Sequence, residues 1–517
     1  MFYKNRSSMK IFGESVENVF EAVEELYTLH EFSFTEFEFF IEQDFKIPKY
    51  ITGDAVKSYL GSAFNCGQNY RILQSQPLAT HFIYLLAILY FLFLSIFGRR
   101  NFKEKKVDVL FENCFSSGIQ DDYIGLYNNL GCHNLGVMQT SYIRGYSLLK
   151  FWKSVEINIG SLSRSVFITY AKYSGYYNSA ISRRILFSLC KRYKSYVKLS
   201  NVMGLNFLQL ALRISKSIAV YETDIGPLKA KVLISFDDNA YRSLRYYIYK
   251  KKINSIMVIQ NGCRMGFESN RLGDMYLYSD YYFGFGEKSI QIQSGMISTN
   301  KLGVGSLRLF NVTSKNNHLT NSSYEYDVIF LEQLSESEVP AYSFITYRKC
   351  VELICKFAID NPQYNVVYRT RISRKNLRLM GDKINSDALL IESMLKEAGI
   401  CISDDMTKDS YLEVLRSKVV IFYTSTLGFE AIGINKRVLN LNLDKLSIGI
   451  SNKNEIDTLV DYDHNLFQKK LHYLLESSSS KLSELMRCRK IQFMNTEENI
   501  ENVICSAVAK ELSKDYL

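Results

Sequence analysis

The segment KVVIFYTSTLGFEAIGINKRVLNLN (418–442) places three consecutive hydroxyl residues, Thr424, Ser425 and Thr426, between an apolar strand and a helix predicted from Leu427. Hydroxyls at a helix start cap free backbone N–H groups. Those same N–H groups, at the positive end of the helix dipole, receive phosphate oxygens. The turn can therefore be a cap, a phosphate cradle, or both. Gly428 permits close approach of a ligand or of the neighbouring strand. Glu430 stands one helical turn beyond Thr426, where a carboxylate can bind ribose hydroxyls or serve as a capping partner.

A second stretch, VLISFDDNAYRSLRYYIYKKKINSIMVIQNGCRMGF (232–267), reads as a strand ending in acids, a basic helix, and a strand ending in Gln-Asn-Gly. Asp237 and Asp238, at the carboxyl end of the first strand, are placed to take a proton from an acceptor hydroxyl, or else to cap the next helix. Asp121 and Asp122 offer the same chemistry after the strand at 107–113. Gln260, Asn261, Gly262 and Arg264 form the acceptor-side candidates, with Arg242 and Arg245 further cations for an acidic acceptor. Asn261 can orient a substrate but cannot accept a proton at neutral pH. Arg369, Arg371 and Arg374 supply guanidinium forks suited to phosphates or sugar carboxylates, or form a solvated basic loop. Cys263 reads as a packing residue.

Other chemistries lack their signatures. The six histidines are scattered and no CxxC pair occurs among the ten cysteines, so no metal site is expected. GxxxxGK[ST], a strand-following GxGxxG and GxSxG are all absent, which removes P-loop kinases, weakens dinucleotide-dependent dehydrogenases and leaves no hydrolase elbow. Lys and Arg exceed Asp and Glu by 63 − 53 = 10, a modest bias that suits an anionic partner. Without a nucleic-acid-binding signature, no nucleic acid is expected.

The pattern strand–xSTxGxEAxxxxxxVLxLN resembles the donor-binding half of bacterial GT-B glycosyltransferases of surface carbohydrates, among them capsule Kdo transferases and the CDP-glycerol glycerophosphotransferase group. The likeness is good over about 325–445, loose over 230–310 and poor before 105. It implies that Thr424, Ser425 and Thr426 hold the donor phosphates, with Gly428 and Glu430 completing the site. The D…R…QNG arrangement at 237–262 is similar to that of surface-carbohydrate enzymes, with Asn261 where the phosphotransferase group carries His. The resemblance implies transfer of a sugar from a nucleotide-activated donor to a lipid-linked or glycan acceptor, without a cofactor. A nucleotide-sugar 2-epimerase of the same architecture is the alternative within enzymes, and a non-catalytic membrane scaffold of a polysaccharide complex the alternative outside them.

These residues need a framework that brings strand ends together. With 517 residues, 47% of them apolar and only 5 prolines, the chain should fold nearly throughout and into more than one domain. Apolar runs at 107–113, 135–141, 231–238, 254–262 and 281–286 alternate with helical patterns. After the polar stretch 311–326 the alternation repeats, with strands at 326–334, 364–371, 400–403, 419–423 and 438–442. Uninterrupted apolar strands separated by helices predict parallel sheets covered on both faces. The expected fold is α/β and GT-B-like: two doubly wound, Rossmann-like domains facing a cleft. The divisions expected are an N-terminal extension (1–105), an acceptor domain (106–312), a donor domain (313–480) and C-terminal helices (481–517) packing back on the first domain.

One segment departs from this pattern. HFIYLLAILYFLFLSIFG (81–98) carries no Asp, Glu, Lys or Arg and is followed by Arg99, Arg100, Lys103, Lys105 and Lys106. At about 1.5 Å per residue it reaches roughly 27 Å, marginal for spanning a bilayer. Insertion or in-plane docking at the inner membrane surface is one reading, and a fully buried helix is the other. The start MFYKNRSSMKIFGESVENVF lacks the pattern of a secretory signal, which predicts a cytoplasmic, membrane-associated protein. Residues 1–75 suggest no role.

Overall fold

The computed structural model describes residues 19–65, 77–97, 104–112, 120–131, 133–139, 166–168, 178–203, 205–236, 242–262, 277–292, 297–315, 324–334, 343–371, 382–404, 409–446, 449–450, 455–477 and 480–514. Asp237, Asp238, Arg264, Arg374 and Cys263 lie outside them.

Four helices come first: α1 (Val19–Leu29), α2 (Glu31–Phe45), α3 (Lys49–Asn65) and α4 (Pro77–Phe97). A parallel sheet and its helices follow: β1 (Lys105–Glu112), α5 (Gln120–Asn129), β2 (Leu135–Gln139), β3 (Val166–Ile168), α6 (Ser179–Met203), α7 (Phe207–Ile225), β4 (Leu228–Ser235), α8 (Ser243–Tyr249), β5 (Ile253–Ile259), β6 (Tyr278–Gly284), α9 (Glu287–Ile292), β7 (Ile297–Gly303) and α10 (Leu307–Lys315). Its seven strands run in the order β3-β2-β1-β4-β5-β6-β7. A second parallel sheet comprises β8 (Tyr326–Leu331), α11 (Phe344–Asp360), β9 (Val366–Arg369), α12 (Asp382–Glu397), β10 (Cys401–Ser403), α13 (Ser410–Leu415), β11 (Ser417–Phe422), α14 (Thr426–Gly433), β12 (Arg437–Leu441) and β13 (Thr458–Leu459). Its order is β10-β9-β8-β11-β12-β13. Helices α15 (His464–Glu476), α16 (Ser480–Phe493) and α17 (Ile500–Leu512) close the described chain.

Both sheets bury both faces, which is why their strands read as continuous apolar runs. Val109, Val232 and Met257 pack with α17 residues Ile504 and Val508 on one face of the first sheet. Leu110, Leu233 and Ile256 pack on the other face with the N-terminal helices. The sequence predicts an extension over residues 1–105, yet the described helices there share the core of the first sheet: Phe34 and Phe37 meet Phe207 of α7 at 5.5 and 5.4 Å between ring centroids. In the second domain Val328, Tyr368 and Ile421 face α11 and α12, while Ile329, Val420 and Val438 face α14.

Three differences from the sequence reading have plain causes. Strands β3, β7 and β13 escape it because they are short or polar; β7 is ISTNKLG at the edge of its sheet, with Thr299 and Leu302 exposed. The polar stretch 311–326 begins inside α10, which ends at Lys315. Helix α4 is not fully buried: Tyr84, Phe91 and Leu94 face the protein, while Phe82, Leu86, Leu89 and Phe93 are exposed.

Each sheet order reverses direction once, between β1 and β4 and between β8 and β11. Strand ends flanking such a switch point leave a crevice, because their outgoing helices cross to opposite faces. Residues that follow β4, β5, β8 and β11 line one cleft.

Candidate functional site

The cleft has a volume of about 570 Å³ and is lined from both domains. Phe236, Gln260 and Asn261 come from the ends of β4 and β5, and Ser306, Leu307 and Arg308 from the start of α10. Opposite them stand Glu332, Gln333, Arg369, Thr370, Arg371, Ser410, Tyr411 and the turn Thr424-Ser425-Thr426. The two turns singled out from the sequence face one another. A Cβ built on Gly262 would lie 3.8 Å from Thr426 Oγ1.

The hydroxyl turn starts α14, with Ser425 as N-cap in extended geometry (φ −73°, ψ 130°). The Ser425 carbonyl accepts from the Gly428 and Phe429 N–H groups at 3.0 and 3.3 Å, but its side chain makes no capping hydrogen bond. Other helices of this chain do use theirs: Ser343 accepts from Thr346 N at 3.4 Å, Asp409 from Tyr411 N at 2.9 Å and Asp463 from Leu466 N at 3.0 Å. Thr424 is 7% exposed and its Oγ1 has no protein partner. A buried hydroxyl without a partner costs about 1–3 kcal/mol. The turn thus directs unengaged polar atoms and the positive end of a helix into a cavity, the features of an anion receptor.

Gly428 takes the structural side of its two readings. An added Cβ would collide with the Phe422 ring, so the residue lets α14 pack on β11. Glu430 is likewise given protein partners. Its Oε1 accepts from Ser306 Oγ at 2.6 Å and its Oε2 from Tyr411 Oη at 2.6 Å, which ties the α10 start to α13 and α14. Burial raises the Glu430 pKa, opposed by those two hydrogen bonds and by the charge of Arg308.

Arg369 sits 3% exposed with Nε 2.8 Å from Glu413 Oε2, and donates further to Ser403 and Ser410. Its charge is matched inside the protein. Arg371 is exposed, and its backbone N–H donates to Glu332 Oε2 at 2.8 Å. Arg308 lines the cleft with its guanidinium 5.1 Å from the Tyr411 ring centroid.

On the first-domain side, Gln260 is 2% exposed and both ends of its amide are engaged. Nε2 donates to the Gly262 carbonyl at 2.8 Å, and Oε1 accepts from Phe285 N at 2.9 Å and Ser289 Oγ at 3.0 Å. Asn261 Nδ2 donates to the Phe236 carbonyl at 2.6 Å, fixing the residue just before Asp237. Arg245, a candidate acceptor ligand by sequence, is instead 5% exposed in an ion pair with fully buried Glu112. Asp121 and Asp122 fall in α5.

The structure adds Glu332, Ser306, Arg308 and Tyr411 to the residues marked by sequence motifs. Glu332 is a strand-ending acid of the same kind as Asp237 and was readable as such. It accepts from Tyr368 Oη at 2.9 Å. The other three come from a helix start and a short helix with no motif to mark them. Among the described residues no cluster of His, Cys, Asp or Glu could hold a metal ion.

No protein-family model matches this sequence, and no curated protein matches it either. Among solved structures, it is similar to the wall teichoic acid polymerase TagF (11% identity, 84% of this chain and 97% of that one, TM-score 0.43). It is also similar to a putative UDP-N-acetylglucosamine 2-epimerase from Listeria monocytogenes (11% identity, 80% and 100%, TM-score 0.43). A third is the UDP-GlcNAc 2-epimerase from Neisseria meningitidis bound to UDP-GlcNAc (13% identity, 78% and 100%, TM-score 0.42). Likenesses this distant leave the function to be read from the site's own residues.

Proposed function

We propose that this protein is a GT-B glycosyltransferase of bacterial surface-polysaccharide assembly, of the O-antigen or capsule kind. It would move a sugar from a nucleotide-activated donor to a lipid-linked or glycan acceptor at the cytoplasmic face of the inner membrane. The observation that carries the reading is the start of α14: a buried Thr424 hydroxyl without a partner and a Ser425 hydroxyl without a capping bond, both lining an interdomain cleft. A nucleoside-diphosphate or CMP leaving group supplies the anionic oxygens that such a turn accepts.

Transfer needs the acceptor oxygen to form a bond to the anomeric carbon while the bond from that carbon to the donor phosphate breaks. Charge accumulates on the departing phosphate, where the turn and the α14 dipole stabilise it, helped by the Arg308 and Arg371 cations. That role is electrostatic and calls for no cofactor and no metal. The acceptor proton goes to Asp237 or Asp238. Phe236, the residue before them, lines the cleft, and Asn261 holds its carbonyl. Asn261 therefore fixes the residue from which the chain enters the two acids.

Replacing Ser425 with Ala tests the donor site. Nucleotide affinity, read by calorimetry, should fall about tenfold for the loss of one hydrogen bond to a charged oxygen. Thermal stability should hardly change, since no capping bond is lost. Unchanged affinity overturns the donor assignment. Incubation with donor alone separates the enzyme classes, because sugar isomerisation without acceptor would favour an epimerase. Failure to bind any nucleotide would favour a scaffold.

A further inference from the structure

The cleft says nothing about how an acceptor on a lipid would reach it, but α4 does. This helix is 21 residues long with no Asp, Glu, Lys or Arg. Ten large apolar side chains between Phe82 and Phe97 are exposed, spread over about half of its circumference at 100° per residue. Its other half faces α6. Tyr193 Oη meets His81 Nδ1 at 2.9 Å, and Tyr84 Oη donates to the Leu189 carbonyl at 2.9 Å. As α4 advances from 81 to 84, its contacts on α6 retreat from 193 to 189, so the two helices run antiparallel.

Helix α6 is basic along its length. Arg183, Lys191, Lys194 and Lys198 are exposed on it, of which Lys191 stands 3.5 Å from Asp44. Lys105 and Lys106, at the start of β1, add exposed charge beyond the end of α4. An upright α4 would carry α6 and its cations into hydrocarbon, where each charge is costly. An α4 lying flat puts its exposed half into the acyl boundary and leaves the α6 cations at headgroup level.

We infer that α4 and α6 together form an in-plane docking surface for an anionic lipid bilayer, α4 supplying the apolar face and α6 the charge. It rests on the membrane-facing part of the proposed function and fixes its geometry: the chain lies on one leaflet and does not cross it. The apolar and basic residues of a membrane-surface helix are here divided between two neighbouring helices. That division is why α4 read as a marginal spanning segment by sequence.

The test uses the full chain and vesicles of phosphatidylcholine with or without phosphatidylglycerol. The protein should sediment with the vesicles, more strongly with phosphatidylglycerol. Leu86→Glu with Phe93→Glu should abolish sedimentation. Both positions are exposed, so nucleotide binding should persist and report an intact fold. Lys194→Gln with Lys198→Gln should weaken binding to the anionic vesicles by roughly tenfold or more and leave binding to neutral ones unchanged. A fluorescent residue placed separately at Phe82, Leu89 and Phe97, quenched by lipids brominated at known depths, reads the orientation. Equal shallow depths support docking in the plane, and a profile deepest at Leu89 overturns it. Failure to bind vesicles overturns it as well, as does a lipid-free dimer broken by Leu86→Glu, since a second copy would then cover the face. If the unsubstituted chain binds nucleotide but no vesicle, the docking surface alone falls. Retained vesicle binding without nucleotide binding sinks the donor site alone.

Discussion

The two walls of the cleft are built from the same kind of strand end, yet they treat their polar groups in opposite ways. On the first-domain wall, Gln260 engages both ends of its amide and Asn261 grips the Phe236 carbonyl, so the ends of β4, β5 and β6 are tied to one another. On the second-domain wall, the 424–426 turn leaves the Thr424 hydroxyl without a partner and the Ser425 side chain uncapped. A wall whose polar atoms satisfy each other is a scaffold. One that keeps unsatisfied atoms at a helix start is poised for a ligand, and the stability forgone there is the usual signature of a site. The difference teaches that residue type alone does not assign a role at a strand end. What decides is whether the protein already fills the hydrogen-bonding capacity.

The sharpest way to break the comparison is Arg369, which lines the receptor wall but is bonded like scaffold. Arg369→Ala leaves Glu413 buried and unpaired and should cost about 3–5 kcal/mol in chemical denaturation. Pairing it with Glu413→Leu should recover most of that loss. If Arg369 instead held donor phosphate directly, the double variant would regain stability yet lose nucleotide affinity. Retained affinity in the stable double variant places Arg369 on the scaffold side.

Next in size is Gln260→Ala. It deprives the buried Phe285 N–H of its acceptor, while the Ser289 hydroxyl keeps the Gly286 carbonyl, a cost of about 2 kcal/mol. Nucleotide affinity should be retained. A stable variant with weakened binding would show that Gln260 faces the ligand, and the contrast between the walls would dissolve.

The framework was legible because burial on both faces leaves a plain mark: VVIFY and the VIFL of YDVIFL are apolar without interruption, and they belong to the two central strands β11 and β8. The 424–426 turn was legible for a related reason, since a hydroxyl cluster between strand and helix has few uses. Partner choice was not legible. Arg245 and Arg369 stand on a basic helix and at a strand end, and only the fold brings Glu112 and Glu413 against them from 133 and 44 positions away (245 − 112 = 133; 413 − 369 = 44). Ser306 and Tyr411 reach Glu430 across 124 and 19 residues, and nothing local announces either. Edge strands such as β7 were missed because one exposed side removes the apolar mark.

Thr424→Val gives a smaller effect with an unusual sign. It removes a buried hydroxyl that has no partner and substitutes a methyl group of similar size. The ligand-free protein should become about 1 kcal/mol more stable, while nucleotide affinity drops roughly tenfold. Stability and affinity moving in opposite directions is what a receptor wall requires. A fall in both would mean that the hydroxyl serves the fold.

The smallest effect concerns Glu430, which joins the two walls. Burial raises its pKa in the folded chain above that of the unfolded one, so the folded state holds the proton more tightly. The resulting stability is fully present below the ordinary carboxylate pKa. It is lost as pH rises through the raised value, because ionising the buried group then disfavours the fold. Glu430→Gln keeps an acceptor for one of the two hydroxyls, offers an N–H to the oxygen of the other, and cannot ionise. Its thermal stability should therefore decline less than that of the wild type between the ordinary carboxylate range and neutral pH. If the two profiles run parallel, Glu430 is held by Arg308 as a full charge, and the interdomain contact is ionic in character. In that case Arg308→Gln should lower stability at neutral pH by leaving the ionised Glu430 without its cation, and the cation would belong to the scaffold, leaving Arg371 as the remaining arginine among the described cleft residues to face the donor.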